Sequence, residues 1–523
     1  MFVANSPFAG LRRSFSASIL AGLLPFLAGA ELALGWAGGG ELKLTVLDPE
    51  TGNPMPCRMH IANEKGKPQR AGRAPFWHDH FVLPGTIKLK LPKGTYQFVI
   101  ERGPEYLDRN GYFVINNLAK DEKVVDLNRA VNMAEEGWWS GDLHIHRPVK
   151  DIELLMQAED LHVAPLVSWS NAKNEWAKRE PPAEHVKQFD KNRYYDLLAG
   201  EDERAGGELL FFRLPKPLDL SETQPEFPSS IKFALAAHEQ TGAWVDAARP
   251  FDWDLPVWLA AGQVDSIGLC NDHMRRSSMQ TDEGDGKPRD RKRLPDPLGN
   301  GQWSQEIYYH VLNCGLRIPP SAGSGSGQAP SPLGYNRVYV WVDKERFNYE
   351  TWWEGFKLGR VVVTNGPLLR PVANGRQPGH VFQAPEGESL TVDVAMNFTL
   401  RDKISYIELV KNGRVAQSVR FEDIARTGHF APLEFDESGW FLVRAVTDKE
   451  ETYRFASSGA WYVEFAEAPK RISKRSAQFF LDWVDERAGQ IKLDDADQRR
   501  EVLKYHEQAK QFWQDLVERG NAD

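Results

Sequence analysis

Cysteine is scarce in this chain: Cys57, Cys270 and Cys314 are the only three among 523 residues. Three thiols cannot build a disulfide framework and leave at least one free. All three sit among apolar or glycine neighbours and read as small core residues. Long basic runs are missing as well. With 73 Asp and Glu against 64 Lys and Arg, the net charge is -9. That balance argues against nucleic acid as a partner and fits a small-molecule or carbohydrate-containing substrate better. Past the N-terminal region, no uncharged segment reaches bilayer-spanning length, so no membrane span is expected after signal removal. What is present in quantity is apolar residue, 41% of the chain. At about 150 residues per domain the length suggests three or four domains with several cores.

The first thirty residues carry Arg12-Arg13, then an apolar run from Ile19 to Ala30 with small residues at Ala28 and Ala30. This layout predicts a signal peptide over residues 1–30 and an exported, periplasmic or extracellular protein. Arg12-Arg13-Ser14-Phe15 weakly resembles a twin-arginine signal, which would export a folded, metal-loaded chain. From residue 41 to about 130 alternating runs and turns predict a small β-sandwich, similar to carboxypeptidase-regulatory-like modules. Inside it, His78-Asp79-His80 spaces two imidazoles at i and i+2. No partner carboxylate motif lies nearby, and the group reads as a loop decoration.

The most informative stretch is Trp138-Trp139-Ser140-Gly141-Asp142-Leu143-His144-Ile145-His146. Read as a strand, its period of two puts Asp142, His144 and His146 on one face and Leu143 and Ile145 on the other. Two neutral imidazoles at i and i+2 form a clamp for zinc, iron or manganese. The competing reading is a surface strand whose polar side chains face water.

Gly141-Asp142-Leu143-His144-Ile145-His146 resembles the opening motif of the PHP superfamily of metal-dependent hydrolases. Gly359-Arg360-Val361-Val362-Val363-Thr364-Asn365-Gly366-Pro367 resembles the segment that closes the catalytic domain in its carbaryl-hydrolase-like (CehA/McbA) branch. The resemblance covers about residues 135–370. It implies a distorted seven-stranded α/β barrel with divalent metal at the carboxyl ends of the strands. Strand ends are expected at His146, Ser170, Gly200, Leu214, Ala247, Asn271 and Pro319, in a largely parallel sheet. Within the resemblance, Glu201 in Gly200-Glu201 matches the metal-bridging carboxylate. Glu208 stands in place of the family's Gly-His histidine, and Arg249-Pro250 in place of His-Pro, with Asp246 or Asp254 expected to hold the arginine. Ser168-Trp169-Ser170 replaces an Asp-His pair. The loop Ser321–Gly327 replaces Ser-Asp-x-His and offers backbone N–H groups for an anion or carbonyl oxygen. His273 ends the sixth strand and is positioned to compensate for a lost ligand.

A second β-sandwich is expected over residues 371–466 and a helical segment over 470–523, where Phe479, Phe480, Trp483 and Val484 form a stripe suited to docking. Glu306 and His310 share a helix face and suit either a ligand-orienting pair or an exposed ion pair. The fold class expected is therefore multidomain α/β plus β: the PHP-like barrel, two flanking sandwiches and a C-terminal helical segment. The leading functional expectation is an exported metal-dependent hydrolase. A single divalent ion would be held by His144, His146 and Glu201, with His273 as a further ligand. Asp142, Glu208 or His273 would serve as general base, and Arg249 would stabilise a developing oxyanion. The alternative is a catalytically silent barrel that binds carbohydrate or a cell-surface polymer. Tryptophans at presumed strand ends, among them Trp169, Trp176, Trp253 and Trp258, suit sugar stacking or simple filling of the core.

Overall fold

In Leu42-Lys43-Leu44-Thr45-Val46 an apolar side chain recurs at every second position, and the strand Gly39–Leu47 accordingly buries Leu42, Leu44 and Val46 on one face. It pairs antiparallel with Thr86–Pro92 and parallel with Lys120–Asp126. A five-stranded sheet, in the order Phe76–Trp77, His80–Leu83, Cys57–Asn63, Gly94–Glu101, Arg109–Ile115, covers that face. The other face of this second sheet turns toward the middle of the chain, where Val82 packs with Ile145, Ile152, Leu155 and Met156. This computed structural model describes residues 38–466 and 469–523. The expected signal peptide lies outside the described residues.

The middle region contributes a row of seven strands to one large sheet, β1 (Trp138–Gly141), β2 (Val163–Ser170), β3 (Arg193–Arg204), β4 (Gly207–Phe212), β5 (Trp244–Ala247), β6 (Ser266–Cys270) and β7 (Pro320–Ala322), with Val186–Phe189 pairing on β3 outside the row. The seven lie side by side in chain order. β1/β2, β2/β3, β5/β6 and β6/β7 are parallel, while β3/β4 and β4/β5 are antiparallel. The expected strand end at Gly200 is therefore the middle of β3, which runs on to Arg204 and turns back at once. Arg204 pairs with Gly207, and a connection that short cannot make a parallel crossover. The two edges of the array meet beyond the strands. Leu143 N–H donates to Ala322 O at 3.0 Å and His146 N–H to Ser326 O at 2.7 Å.

The sheet does not stop there. β8 (Arg337–Trp341) pairs with β1, and β9 (Val361–Thr364) pairs with β8. β9 then pairs with Phe455–Ser458, and the sheet continues through Gly439–Thr447, Ile404–Lys411 and Arg414–Val419. Trp138, Tyr339 and Val362 share a core with Phe441 and Trp461. The domain boundary expected at residue 370 is thus bridged by a continuous ladder and a common core. The helices Lys474–Gln490 and Ala496–Arg519 pack on each other, and Phe480, Trp483 and Trp513 join the central core. The fold is mixed α/β and rich in strands, with eight α-helices among the described residues. None of them is long and apolar enough to cross a membrane. Cys57, Cys270 and Cys314 are buried free thiols.

Candidate metal centre

β1 ends at Gly141, and the residues after it form no regular strand, with a bend at Leu143 and an isolated bridge at Ile145. The cause is Asp142. Its Oδ1 accepts the N–H of His144 at 3.1 Å and that of Ser324 at 2.9 Å, while Oδ2 accepts the N–H of Gly334 at 2.7 Å. Asp142 is fully buried. Burial holds its pKa above the ordinary carboxylate value, against the pull of those N–H groups. It does not share the histidine face, and it ties the His144 segment to the loops that follow β7. With both oxygens accepting backbone N–H groups it ties three segments together, a placement that gives it no advantage over Glu208 or His273 as general base. The Ser321–Gly327 loop, expected to cradle an external anion, gives the Ser324 N–H to this internal carboxylate.

Glycine lets that loop lie against the histidines. A β-carbon on Gly327 would stand 2.6 Å from His146 O, and one on Gly325, where φ is +60°, would stand 2.9 Å from the Asp272 β-carbon.

His144 Nε2 and His146 Nε2 face each other at 3.0 Å. Glu201 Oε2 lies 3.4 Å from His146 Nε2, and Glu208 Oε1 lies 3.2 Å from His144 Nε2. The ligand atoms of His144, His146 and Glu201 all fall within 4.8 Å of one another. The hairpin explains how two glutamates from adjacent strands arrive together. Glu203 pairs directly with Glu208 across β3 and β4, and Glu201 shares the face of Glu203 by the period of two. Because β4 is antiparallel, its first residues sit on the rim where β3 ends.

Electrostatically the site concentrates buried carboxyl groups beside two imidazoles. Glu201 Oε2 and both oxygens of Glu208 are buried with no aligned hydrogen bond, although His144, His146 and Arg249 stand close to them. Burial pushes the Glu201 carboxyl up to about 8, with Glu208 adding to the effect. Burial likewise carries Glu208 well above the carboxylate range. Asp246 is raised to about 6 and Asp252 to about 7, again chiefly by burial. His146 is pushed down to about 3 by burial and then by His144. Holding several of these buried carboxyl groups in their charged form would cost several kcal/mol per charge. A divalent ion relieves that cost, and the donor set of two imidazole nitrogens and carboxylate oxygens suits zinc, manganese or iron.

Arg249 supplies part of the balance. Its Nη2 stands 2.7 Å from Glu208 Oε2 and 3.3 Å from Glu203 Oε1, and its Nε donates to Asp272 Oδ1 at 2.9 Å. Neither acid expected to hold it does so. Asp246 accepts the hydroxyls of Ser266 and Ser321, and Asp254 pairs with Arg487 of the C-terminal helices. Asp272 and Glu203 escaped the sequence reading, although Asp272, one residue before His273, stood in plain view. His273 is not brought into the ligand group. Its ring packs on Phe251 with centroids 5.0 Å apart, and burial lowers its pKa to about 4. The Glu306–His310 face is no site either: Glu306 pairs with Arg293, while His310 meets Ser476 and stacks on Phe479.

Two clefts adjoin the centre. One, of about 960 Å³, is lined by His146, Arg147, Ser168, Trp176, Arg179 and Gln328, among others. The other, of about 780 Å³, is lined by Glu203, Arg249, Asp272, His273, Arg275 and again Gln328. Trp258 is a core residue, while Trp169, itself buried, and Trp176 both line the first cleft, Trp176 with its Nε1 donating to Ser168 Oγ.

No family model and no curated protein sequence matches this chain. Among solved structures, the TIE protein of Bacillus anthracis is 24% identical over 22% of this chain and 20% of its own, with a TM-score of 0.15. The fibronectin(III)-like modules of Clostridium thermocellum CbhA are 16% identical over 26% of this chain and 65% of theirs, with a TM-score of 0.14. Likenesses this slight carry no argument about fold or function.

Proposed function

We propose that the protein is an exported metal-dependent hydrolase of the PHP type, with the seven-strand array as its distorted barrel. The observation that carries the proposal is the convergence of His144, His146 and Glu201, joined by Glu208, with buried carboxylate oxygens that lack aligned hydrogen bonds. His144, His146 and Glu201 would hold the ion, and Glu208 lies close enough to join them. When bound, zinc, manganese or iron acidifies water and polarises a carbonyl or phosphoryl oxygen.

The remaining work falls to this chain's own side chains. Glu208, set between His144 and Arg249, would be the general base in its ionised form, which the Arg249 cation favours against burial. Arg249 lines the second cleft amid the carboxylates of Asp272, Glu203 and Glu208 and would be the cation nearest a developing oxyanion there. Gln328 lines both clefts, so a substrate laid across the centre reaches Trp176 on one side and Arg275 on the other. Arg147, Lys150, Lys173 and Arg179 line the first cleft against Glu175 and Glu180. That excess of cation favours a substrate with an anionic or carbonyl-rich portion.

Elemental analysis of protein purified without chelator, combined with a panel of chromogenic esters and phosphoesters, tests the reading. In the His144→Ala/His146→Ala variant turnover is expected to disappear and the metal content to fall by one ion per chain. Metal that persists in the double variant at the wild-type level would remove His144 and His146 from the centre. Full metal without turnover on any substrate would favour the binding role instead.

A further inference from the structure

A second group of potential ligands lies in the N-terminal sandwich. His60 on the strand Cys57–Asn63 and His80 on the strand His80–Leu83 are direct cross-strand partners. Such a pair projects from one face with close β-carbons, and here the ring centroids are 5.2 Å apart. Asp79 closes the pair from the turn. Its Oδ2 is 3.2 Å from His60 Nδ1, and its Oδ1 is 3.0 Å from His80 Nδ1. All three residues offer a ligand atom within 4.8 Å of the others. His78, the histidine that the sequence pattern pairs with His80, instead occupies the turn at φ 48° and is exposed.

We propose that His60, Asp79 and His80 form a second divalent-cation site of the zinc class, with Glu101 orienting His60 from its far nitrogen. His60 and His80 each meet a different oxygen of Asp79, at 3.2 and 3.0 Å, the latter a hydrogen bond, so the carboxylate lies between the two imidazoles with one ligand atom from each residue within 4.8 Å of the others. The second observation is His60 itself. It is 9% exposed, and both ring nitrogens lack an aligned hydrogen bond, although a carboxylate faces each: Asp79 at Nδ1 and Glu101 Oε2, 3.4 Å away, at Nε2. A histidine that binds metal through one nitrogen commonly presents the other to a carboxylate. Arg58 and Arg276 hold that same Glu101 oxygen, each within 3.0 Å.

The position suggests what the ion does. The two-residue turn at His78 and Asp79 joins Trp77 to His80, and Trp77 Nε1 donates to Ala329 O at 2.8 Å. Ala329 follows Gln328, which lines both clefts beside the His144/His146 centre. An ion binding His60 to the Asp79–His80 turn fixes the hairpin that props this loop. The site is structural, and it does not rest on the proposed hydrolase function.

The test uses the full chain carrying His144→Ala/His146→Ala, stripped with chelator and dialysed against zinc. One zinc per chain is expected to remain, and zinc-edge X-ray absorption should show two imidazole nitrogens on it. Adding Asp79→Asn, a change at a half-buried turn residue, should weaken zinc retention by at least about tenfold. Should that variant fail to fold, His80→Gln in the same background serves, judged by the same criterion. A chain that retains no zinc, a zinc shell without two imidazoles, or retention unchanged by the added substitution overturns the proposal. Hydrolysis that persists in this background with the sandwich zinc intact would instead count only against the reading of the His144/His146 centre.

Discussion

Gly323 lies so close under His144 that a β-carbon on the glycine would stand 2.5 Å from that of the histidine. The loop after β7 therefore sets where the His144 ring can sit. Gly323→Ala forces one of the two segments to move, at about 1–3 kcal/mol for overpacking. If His144 is a ligand, zinc affinity measured by competition with a chromophoric chelator should fall roughly tenfold. Affinity unchanged in a destabilised protein would argue that His144 plays no part in binding.

Asp142→Asn separates an organiser from a base. An amide has one oxygen to accept with, so at least one of the N–H groups of His144, Ser324 and Gly334 is left buried without a partner. The expected loss is about 1–3 kcal/mol, read from the midpoint of urea unfolding, together with weakened metal binding. A normally stable variant that had lost only turnover would assign the role of base to Asp142.

Arg249→Ala should destabilise the protein by about 3–5 kcal/mol, because Glu208 and Asp272 lose the cation buried between them. The change should leave His144, His146 and Glu201 able to take up metal while lowering turnover. Arg249→Lys should recover part of the stability and little of the activity, since an ammonium cannot span Glu208 and Asp272 as the planar guanidinium does. Guanidinium unfolding and metal analysis on the same samples check both halves.

Asp254 offers a pH prediction remote from the centre. Burial works to raise its pKa, but Arg487 at 2.7 Å and His506 beside it hold the carboxyl well below the usual range. A depressed folded pKa stabilises the protein above the unfolded value of about 3.9, and that contribution fades as pH falls below it. The C-terminal helices should loosen on acidification below about pH 4, reported by fluorescence of the buried Trp483 and Trp513. In Asp254→Asn that acid-dependent step should flatten, and the helices should already be weaker at pH 7. An unaltered acid profile would remove Asp254 from the account.

How far the sequence could be read depended on the range of the interaction involved. Alternation exposed the strands of the first sandwich, and the His144/His146 spacing was informative because the two imidazoles do meet, Nε2 to Nε2 at 3.0 Å. Asp142 misled because a side chain accepting backbone N–H groups overrides the period-two pattern, and the partner loops lie far along the chain. Glu208 was legible only as a substitution within a family motif. Its place beside His144 depends on a two-residue turn that reverses β3, where the alternation of strand and helix suggested a crossover. The His60–His80 pair was invisible for the opposite reason: the nearer His78 offered a local pattern, while the true partner came from the neighbouring strand. Arg249 was assigned to the wrong acids because Asp246 and Asp254 are its neighbours in sequence, whereas its guanidinium reaches across to β4 and past β6.

The ladder from β9 into Phe455–Ser458 has a consequence for how the chain is made. A ribosome delivers β9 well before the strand that covers its edge. At ~5–20 residues per second, that edge waits roughly 5–20 s for its partner. Throughout that interval the outward faces of Trp138, Tyr339 and Val362 lack the Phe441 and Trp461 side chains that later seal them. Nascent chains caught in this window present an open edge beside apolar surface, the combination most prone to pairing with a neighbour. A gene fragment cut at residue 370 would hold that state permanently, so the candidate centre is expected to be obtainable only with the C-terminal strands attached.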